Sequence, residues 1–387
     1  MRVPSIDAFR GVVMFLMLAE AMRLWTLHDA FPSSFLWSIV AFHTQHVPWQ
    51  GCSLHDLIQP AFSFLAGASL PFSIASRKAK GESFRKMLGH TVRRSLILVF
   101  LGIFLRSMAS PRTYWTFEDT LTQIGLGYTL LFLLAFASRR VQVGVFVAIL
   151  VLFWAAFAIY PAPPATFDYA AVGVPADFPY LYTGFLAHFN KNSNLSWAFD
   201  TWFLNLFPRE SPFLFNGGGW STLSFIPTLA TMMLGTWSGA WLKSPRSARE
   251  KLRGLVVWGV GLTVAGLVLQ WLHICPIVKR IWTSSYTLYS GGLILLILAG
   301  FYAAIEMKGW MRWSFPLMVI GANSIAIYVM AWTMEHFVSE SLQIHLGSAP
   351  FFLLGAPFEP VLRGIGVLIV FWLILYWMYR KKIFIKI

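Results

Sequence analysis

Long apolar runs alternate with short polar segments along almost the whole chain. Each run approaches the roughly 20 residues that an α-helix needs to cross a bilayer. We predict ten spans, at about 8–27, 54–75, 95–110, 120–137, 141–160, 221–242, 254–272, 285–306, 314–332 and 358–379. The pattern therefore predicts an all-α, polytopic membrane protein whose residues 1–387 form a single transmembrane domain.

Composition supports this class and adds an orientation. Of the 387 residues, 57% are hydrophobic and 12% are charged, whereas soluble domains carry about a quarter charged residues. The net charge of +14 comes from lysines and arginines in short loops, from Arg2 to Lys386. Cytoplasmic loops carry such an excess, so we predict both termini in the cytoplasm and a multi-pass inner-membrane protein. No basic tail or zinc-finger spacing is present, which argues against a nucleic-acid partner.

Two segments outside the regular spans qualify this picture. The N-terminal run lacks a small-residue cleavage site, so we expect a retained first span and not a signal peptide. The stretch 161–220, between spans five and six, is rich in proline, glycine, asparagine and aromatic residues. We expect this external loop to fold over the membrane face as a lid or a wall.

Ionisable residues near or inside spans are expensive and mark functional paths by default. Glu20 is either functional or an interfacial partner of Arg23, three residues away. Arg10 either reaches the headgroups or meets an anionic ligand from the cytoplasm. Arg93 and Arg94 set topology or hold phosphates in bidentate fashion.

Polar residues also recur in later spans. Lys279 and Arg280 lie on the external side, against the charge rule, which suits an anionic or hydroxyl-rich ligand. Asn323, Ser324 and Tyr328 in "GANSIAIYVMAW", and Gln123 in "LTQIGLGY", bind a ligand or bond neighbouring helices.

The segment "HTQHVPWQG" is polar between two apolar segments. His43 and His46 are candidate general bases near neutral pH, and Asp56 follows ten residues after His46. Glu20 approaches the same face from the first span. No third ligand follows at a metal-site spacing, so we expect no metal. The two cysteines, Cys52 and Cys275, are expected as separate thiols, although a bond between them is conceivable.

Several segments occur together in an order that resembles the transmembrane acyltransferase family of heparan-alpha-glucosaminide N-acetyltransferase. They run from "SIDAFRG" and "HVPWQGCSLHDLIQPAFSFLAG" through "LTQIGLGY" and "STLSFIPTLATMMLG" to "PIVKRIWTSSYTL" and "GANSIAIYVMA". The resemblance implies about ten core helices and acetyl transfer from cytoplasmic acetyl-CoA to an amino sugar on the external side.

The resemblance also assigns roles to residues. His46 is the expected catalytic base, and Asp56 or Glu20 orients it. Glu20 or Ala21 stands where the vertebrate enzyme has an asparagine. We expect the donor to contact Arg10, Arg93, Arg94, Gln123, Asn323, Ser324 and Tyr328. We expect the acceptor to contact Trp49, Lys279, Trp282 and Ser285.

Two other functions fit the same spans. A sugar permease would share the polar residues but would not need a phosphate-binding cluster on the cytoplasmic side. An O-acyltransferase of a surface polysaccharide would differ only in its acceptor. The expected partners are acyl-CoA, a sugar or glycan acceptor and the bilayer, with a homodimer also considered.

Overall fold

The computed structural model describes residues 3–385. Over that range the chain is helical, and its only β-type pairing is an isolated bridge between Gln50 and Val278. The α-helices are α1 Pro4–Leu18, α2 Thr26–Ala30, α3 Phe35–Thr44, α4 Ile58–Ala79, α5 Phe84–Ser107, α6 Thr120–Leu134, α7 Arg139–Ile159, α8 Leu195–Phe203, α9 Phe225–Lys243, α10 Ala248–Trp271, α11 Ser284–Tyr302, α12 Phe315–Ala322, α13 Ser324–Leu346 and α14 Glu359–Arg380.

Six of the described helices are long and apolar enough to cross a membrane: α4, α5, α7, α10, α11 and α14. A seventh span results if α12 and α13, which meet at a 70° bend, count as one. The all-α membrane class is therefore confirmed, but the structure does not support the count of ten. The cytoplasmic placement of both termini stays a prediction, and Arg2 and Lys386 lie outside the described residues.

Two predicted spans begin or end at the wrong residue, for local reasons. α5 begins at Phe84 and not near 95, because the Ser83 side chain accepts a hydrogen bond from the Lys86 backbone and caps the helix. The first helix ends at Leu18 and not near 27, since a short 3-10 turn leads to Arg23 in the left-handed region, with φ of 46°.

Residue contacts divide the chain into two compact units, which we describe separately. Unit 1 contains 48–51 and 59–297, and unit 2 contains the described parts of 2–47, 52–58 and 298–387. The prediction of one domain over 1–387 stays a prediction.

In unit 1, α9 packs against α4 and α6 and is buried along most of its length. A β-carbon on Gly235 would lie 1.9 Å from the Phe64 carbonyl oxygen, so the backbones of α9 and α4 touch directly. Such close approach through small residues is typical of helix contacts in membranes. The threonines and serines that allow it also make α9 less apolar than a lipid-facing helix.

The predicted external loop, 161–220, also belongs to unit 1 and is packed, as its aromatic content suggested. Asn190, Asn192 and Asn194 are all buried. The Asn192 side chain donates to the Val172 and Asn216 carbonyls, both at 2.9 Å, and thereby joins distant parts of the loop.

In unit 2, α1 packs against α12, and a β-carbon on Gly11 would lie 1.9 Å from the Leu317 carbonyl oxygen. α14 packs against α12 and α13. Asn323, at the bend between those two helices, is fully buried.

Candidate active site

The turn between α3 and α4 is folded around the carboxylate of Asp56, within unit 2. Its Oδ2 accepts hydrogen bonds from the Ser53 backbone at 3.0 Å, the Ser53 hydroxyl at 3.1 Å and the Val47 backbone at 3.2 Å. The Asp56 backbone donates in return to the Ser53 hydroxyl at 3.2 Å. This reciprocal pattern resembles a capping box at the start of a helix. The Asp56 side chain is 1% exposed, so the turn holds a buried acid in one orientation.

The other oxygen of that carboxylate contacts His46. Asp56 Oδ1 lies 2.8 Å from His46 Nδ1. An ionised carboxylate only accepts hydrogen bonds, so this contact puts the imidazole proton on Nδ1 and the basic lone pair on Nε2. The His46 side chain is 36% exposed, which allows a substrate to reach the ring.

His43, the other histidine of the turn, has a different partner. Its Nδ1 accepts a hydrogen bond from the Leu54 backbone at 3.2 Å. That bond serves the local fold of the turn. The geometry therefore distinguishes the two histidines in the way that the predicted role of His46 requires.

A third histidine, His55, was missed by the sequence reasoning. Its ring centroid lies 4.4 Å from that of His46, with the planes inclined by 60°. Its Nε2 lies 4.0 Å from Glu20 Oε2, and Glu20 is 59% exposed. The signal in the sequence was the histidine directly before Asp56. The structure thus relates Glu20 to His46 through the ring of His55.

The arginines expected at the donor have different surroundings. Arg10 forms an ion pair with Asp7 at 3.0 Å on α1. On α5, Arg93 is exposed beside an apolar groove that includes Leu96 and Phe100. Arg94 is half-buried and donates to the Tyr128 hydroxyl at 3.0 Å.

The amide residues expected at the donor are bonded to backbone. Gln123 is buried, and its Nε2 donates to the Phe117 carbonyl at 2.7 Å and to the Ser221 and Thr222 carbonyls at 3.3 and 3.2 Å. Asn323 donates to the Ile383 carbonyl at 3.0 Å and accepts from the Ile385 backbone at 2.9 Å. These bonds fit the structural alternative for both residues. Ser324 begins α13, and Tyr328 is buried one turn later.

The four residues expected at the acceptor are all buried, with Trp49, Trp282 and Ser285 enclosed almost completely. The Trp49 indole donates to the Phe189 carbonyl at 3.1 Å, and the Ser285 hydroxyl donates to the Pro276 carbonyl at 2.7 Å. The Trp282 indole donates to the Thr231 hydroxyl at 3.3 Å. Lys279 is the one of the four whose chemistry can recognise an anion.

A second buried acid, Asp200, lies on α8 in the predicted external loop. Its carboxylate accepts from the Thr222 backbone at 3.0 and 3.3 Å. Burial, with a smaller contribution from the charge of Glu118, raises the pKa of Asp200 to about 7, although the Thr222 bonds and Arg209 act in the opposite direction. The loop thus contains a carboxyl group that titrates near neutral pH.

Neither a metal site nor a disulfide occurs in the described part of the chain. No group of three or more histidine, cysteine, aspartate or glutamate side chains there could hold a metal ion. Cys52 and Cys275 are both thiols.

Comparison with known proteins gives a distant relationship over the full length. No protein-family model matches the chain. Heparan-alpha-glucosaminide N-acetyltransferase from Homo sapiens is 23% identical over 429 aligned residues, and that from Mus musculus is 23% identical over 427. Each alignment covers 100% of this chain, which spans 60% of the length of these relatives. The similarity indicates that the chain is a distant relative of a membrane N-acetyltransferase.

Proposed function

We propose that this protein is a membrane-embedded acyltransferase that moves an acetyl group from cytoplasmic acetyl-CoA to an amino sugar or another glycan acceptor on the external side. The observation that carries the proposal is the contact between His46 and Asp56, with the carboxylate buried and the imidazole partly exposed. The distant similarity to an N-acetyltransferase supports the same reaction class.

In the proposed reaction, His46 is the general base. Nε2 takes a proton from the acceptor amine as its nitrogen attacks the thioester carbonyl carbon. The resulting tetrahedral intermediate collapses, the carbon–sulfur bond breaks, and the coenzyme A thiolate leaves. The imidazolium returns its proton to that thiolate, so the histidine ends each cycle neutral.

Asp56 acts on this step through His46. Its carboxylate keeps the proton on Nδ1 and stabilises the imidazolium when Nε2 is protonated, as the acid of a catalytic triad does. The three hydrogen bonds to Oδ2 fix the carboxylate in position. Because the ring orientation is set before substrate binds, little reorganisation is needed at the moment of proton transfer.

At the donor end, Arg94 is the arginine best suited to a phosphate. Its Nε is buried and has no hydrogen-bond acceptor among residues 3–385, while Nη1 is held by Tyr128. A buried guanidinium donor without an acceptor is costly, and a phosphate oxygen would satisfy it. We expect coenzyme A to raise the melting temperature of the purified protein, a result that a sugar permease would not give.

The decisive experiment compares His46→Ala with His43→Ala in purified full-length protein. We expect His46→Ala to lower kcat for acetyl transfer by about 10²–10⁴-fold, since a general base contributes that much. His43→Ala removes a histidine from the same turn and should retain activity within a few-fold. Acetyl transfer by His46→Ala at the wild-type rate would refute the proposed role.

The acceptor panel separates N-acylation from O-acylation. Mass spectrometry of the products from glucosamine and from neutral glycans identifies the atom that receives the acetyl group. Acetylation of hydroxyl groups alone would replace the amino-sugar assignment with the polysaccharide O-acyltransferase.

A further inference from the structure

Three cations of unit 1 meet at one three-residue segment, Gly218–Trp220. A β-carbon on Gly218 would lie 2.9 Å from Arg280 Nη1, and one on Gly219 would lie 3.2 Å from Lys191 Cγ. Lys279 Nζ and Arg280 Cζ lie 5.1 and 5.0 Å from the centroid of the Trp220 ring. Arg280 Nη1 also donates to the Gly218 carbonyl at 2.6 Å. The side chains are therefore held in place by the segment itself.

Lys191 is the member of this cationic cluster for which an anion is missing. Its residue is only 7% exposed, and its ammonium forms no ion pair or hydrogen bond with any residue between 3 and 385. The Nζ atom lies 5.3 Å from the centroid of the Phe178 ring. Burial, and then the charge of Arg280, lowers the pKa of Lys191. Gathering like charges in this way costs free energy, which a bound anion would offset.

The cationic cluster is also accessible from one side. Gly217 precedes the segment and is exposed, and no atom lies within 4 Å of the position of a β-carbon there. Trp220 and Arg280 are half-buried. An anion could therefore reach the cluster from the predicted external side without displacing the packed loop.

We propose that Lys191, together with Lys279 and Arg280, binds an anionic group of the acceptor, namely a carboxylate, sulfate or phosphate attached to the sugar. This inference rests on the proposed function for the identity of the acceptor. The guanidinium provides directional donors and the two ammonium groups provide point charges. The cations on the Trp220 face are positioned in advance by cation–π contacts, so binding loses less conformational entropy.

The first test measures binding without chemistry, by titration calorimetry on purified full-length protein at matched ionic strength. We expect glucosamine 6-sulfate to bind about 10–100-fold more tightly than glucosamine, because a charge-assisted hydrogen bond is worth that factor. Lys191→Met should abolish the difference and Lys191→Arg should retain it. Lys80→Met, which removes an exposed lysine elsewhere in unit 1, is the matched control and should leave it unchanged.

The second test measures acetyl transfer from acetyl-CoA to the same two sugars. We expect kcat/KM to favour the sulfated sugar, and Lys191→Met to lose that preference while its rate with glucosamine stays near wild type. Binding discrimination without any transfer would refute the proposed function and leave this site standing. Transfer without discrimination would overturn the site and leave the proposed function standing.

A third measurement needs no variant, in case Lys191→Met fails to fold. Inorganic sulfate should displace glucosamine 6-sulfate from the wild-type protein, whereas chloride at the same ionic strength should not. Equal displacement by the two salts would reduce the effect to general screening and overturn the site.

Discussion

At the scale of single residues, the proposed chemistry depends on which nitrogen of His46 carries the proton. Asp56 settles this through one hydrogen bond of 2.8 Å. The same carboxylate also holds the turn together through its second oxygen. A useful substitution must therefore change the first contact while disturbing the second as little as its chemistry allows.

Asp56→Asn is that substitution. The asparagine oxygen can still accept from the turn, but its amide would donate to Nδ1 and move the imidazole proton to Nε2. We expect kcat for acetyl transfer to fall by about 10²–10⁴-fold, by analogy with the acid of a catalytic triad. Steady-state kinetics, with Asp29→Asn on α2 as an exposed control, measure the effect. Activity within three-fold of wild type, or about that, would argue against the tautomer argument.

The sequence predicted part of this constellation. The spacing of ten residues between His46 and Asp56 suggested that the two were neighbours, because both lie in one short turn. The stacking of His55 on His46 could not be read from spacing, since it depends on the 3-10 turn at His55–Leu57. The surroundings of Arg93 and Arg94 likewise depend on the rotation of α5 and not on residue type.

At the scale of helices, unit 1 depends on direct backbone contact between α4 and α9. Gly235 faces the Phe64 carbonyl at a distance that leaves no room for a methyl group. Gly261 on α10 is also helical, but no atom lies within 4 Å of the position of its β-carbon. The two glycines therefore form a matched pair for a packing test.

We expect Gly235→Ala to lower the free energy of unfolding by about 1–3 kcal/mol through overpacking. Gly261→Ala should change it by no more than about 1 kcal/mol, with stabilisation expected from helix propensity. Thermal or denaturant unfolding of the detergent-solubilised protein gives both values. Equal effects at the two positions would contradict the close approach of α4 and α9.

The folded external loop should lose stability as the pH rises. The pKa of Asp200 is about 7, above its ordinary value of 3.8, so folding favours the protonated acid. That stabilisation is complete below about pH 4 and is lost as the pH rises through about 7, by up to about 4 kcal/mol.

Asp200→Asn tests this dependence, since the amide is neutral at every pH and its oxygen still accepts from Thr222. We expect the variant to resist limited proteolysis of the loop at pH 8 better than wild type, and similarly at pH 5. Asp177→Asn alters an exposed acid of the same loop and should behave as wild type. An unchanged pH profile for Asp200→Asn would exclude Asp200 as the titrating group.

Sequence periodicity predicted helices at ten places and could not predict how they end. The bend between α12 and α13 falls at Ala322–Asn323–Ser324, which contains neither proline nor glycine. Asn323 bonds the chain at Ile383 and Ile385, some 60 residues further on. Contacts with so distant a part of the sequence have no local signature, whereas the Ser83 cap of α5 did have one.

At the scale of the whole molecule, the orientation in the membrane is the prediction with the widest consequences. It puts 161–220 outside and the segment 76–94 inside, and the proposed direction of acetyl transfer depends on it. The argument rests on the distribution of basic residues along the sequence.

Labelling of single cysteines tests that orientation. In a Cys52→Ser, Cys275→Ser background, Asp177→Cys should react with a membrane-impermeant maleimide in intact spheroplasts. Lys80→Cys should react only after permeabilisation. Gel-shift quantification of the labelled fraction distinguishes the two, and the reverse pattern would invert the topology.

The double use of the Asp56 carboxylate has an evolutionary consequence. A lineage that lost acetyl transfer would still need this acid to fold the turn, whereas its histidine would be released to drift. Descendants with the aspartate but without the histidine would thus be intact proteins with a silenced reaction. Among relatives of this chain, the joint inheritance of His46 and Asp56 is therefore the mark of a working enzyme.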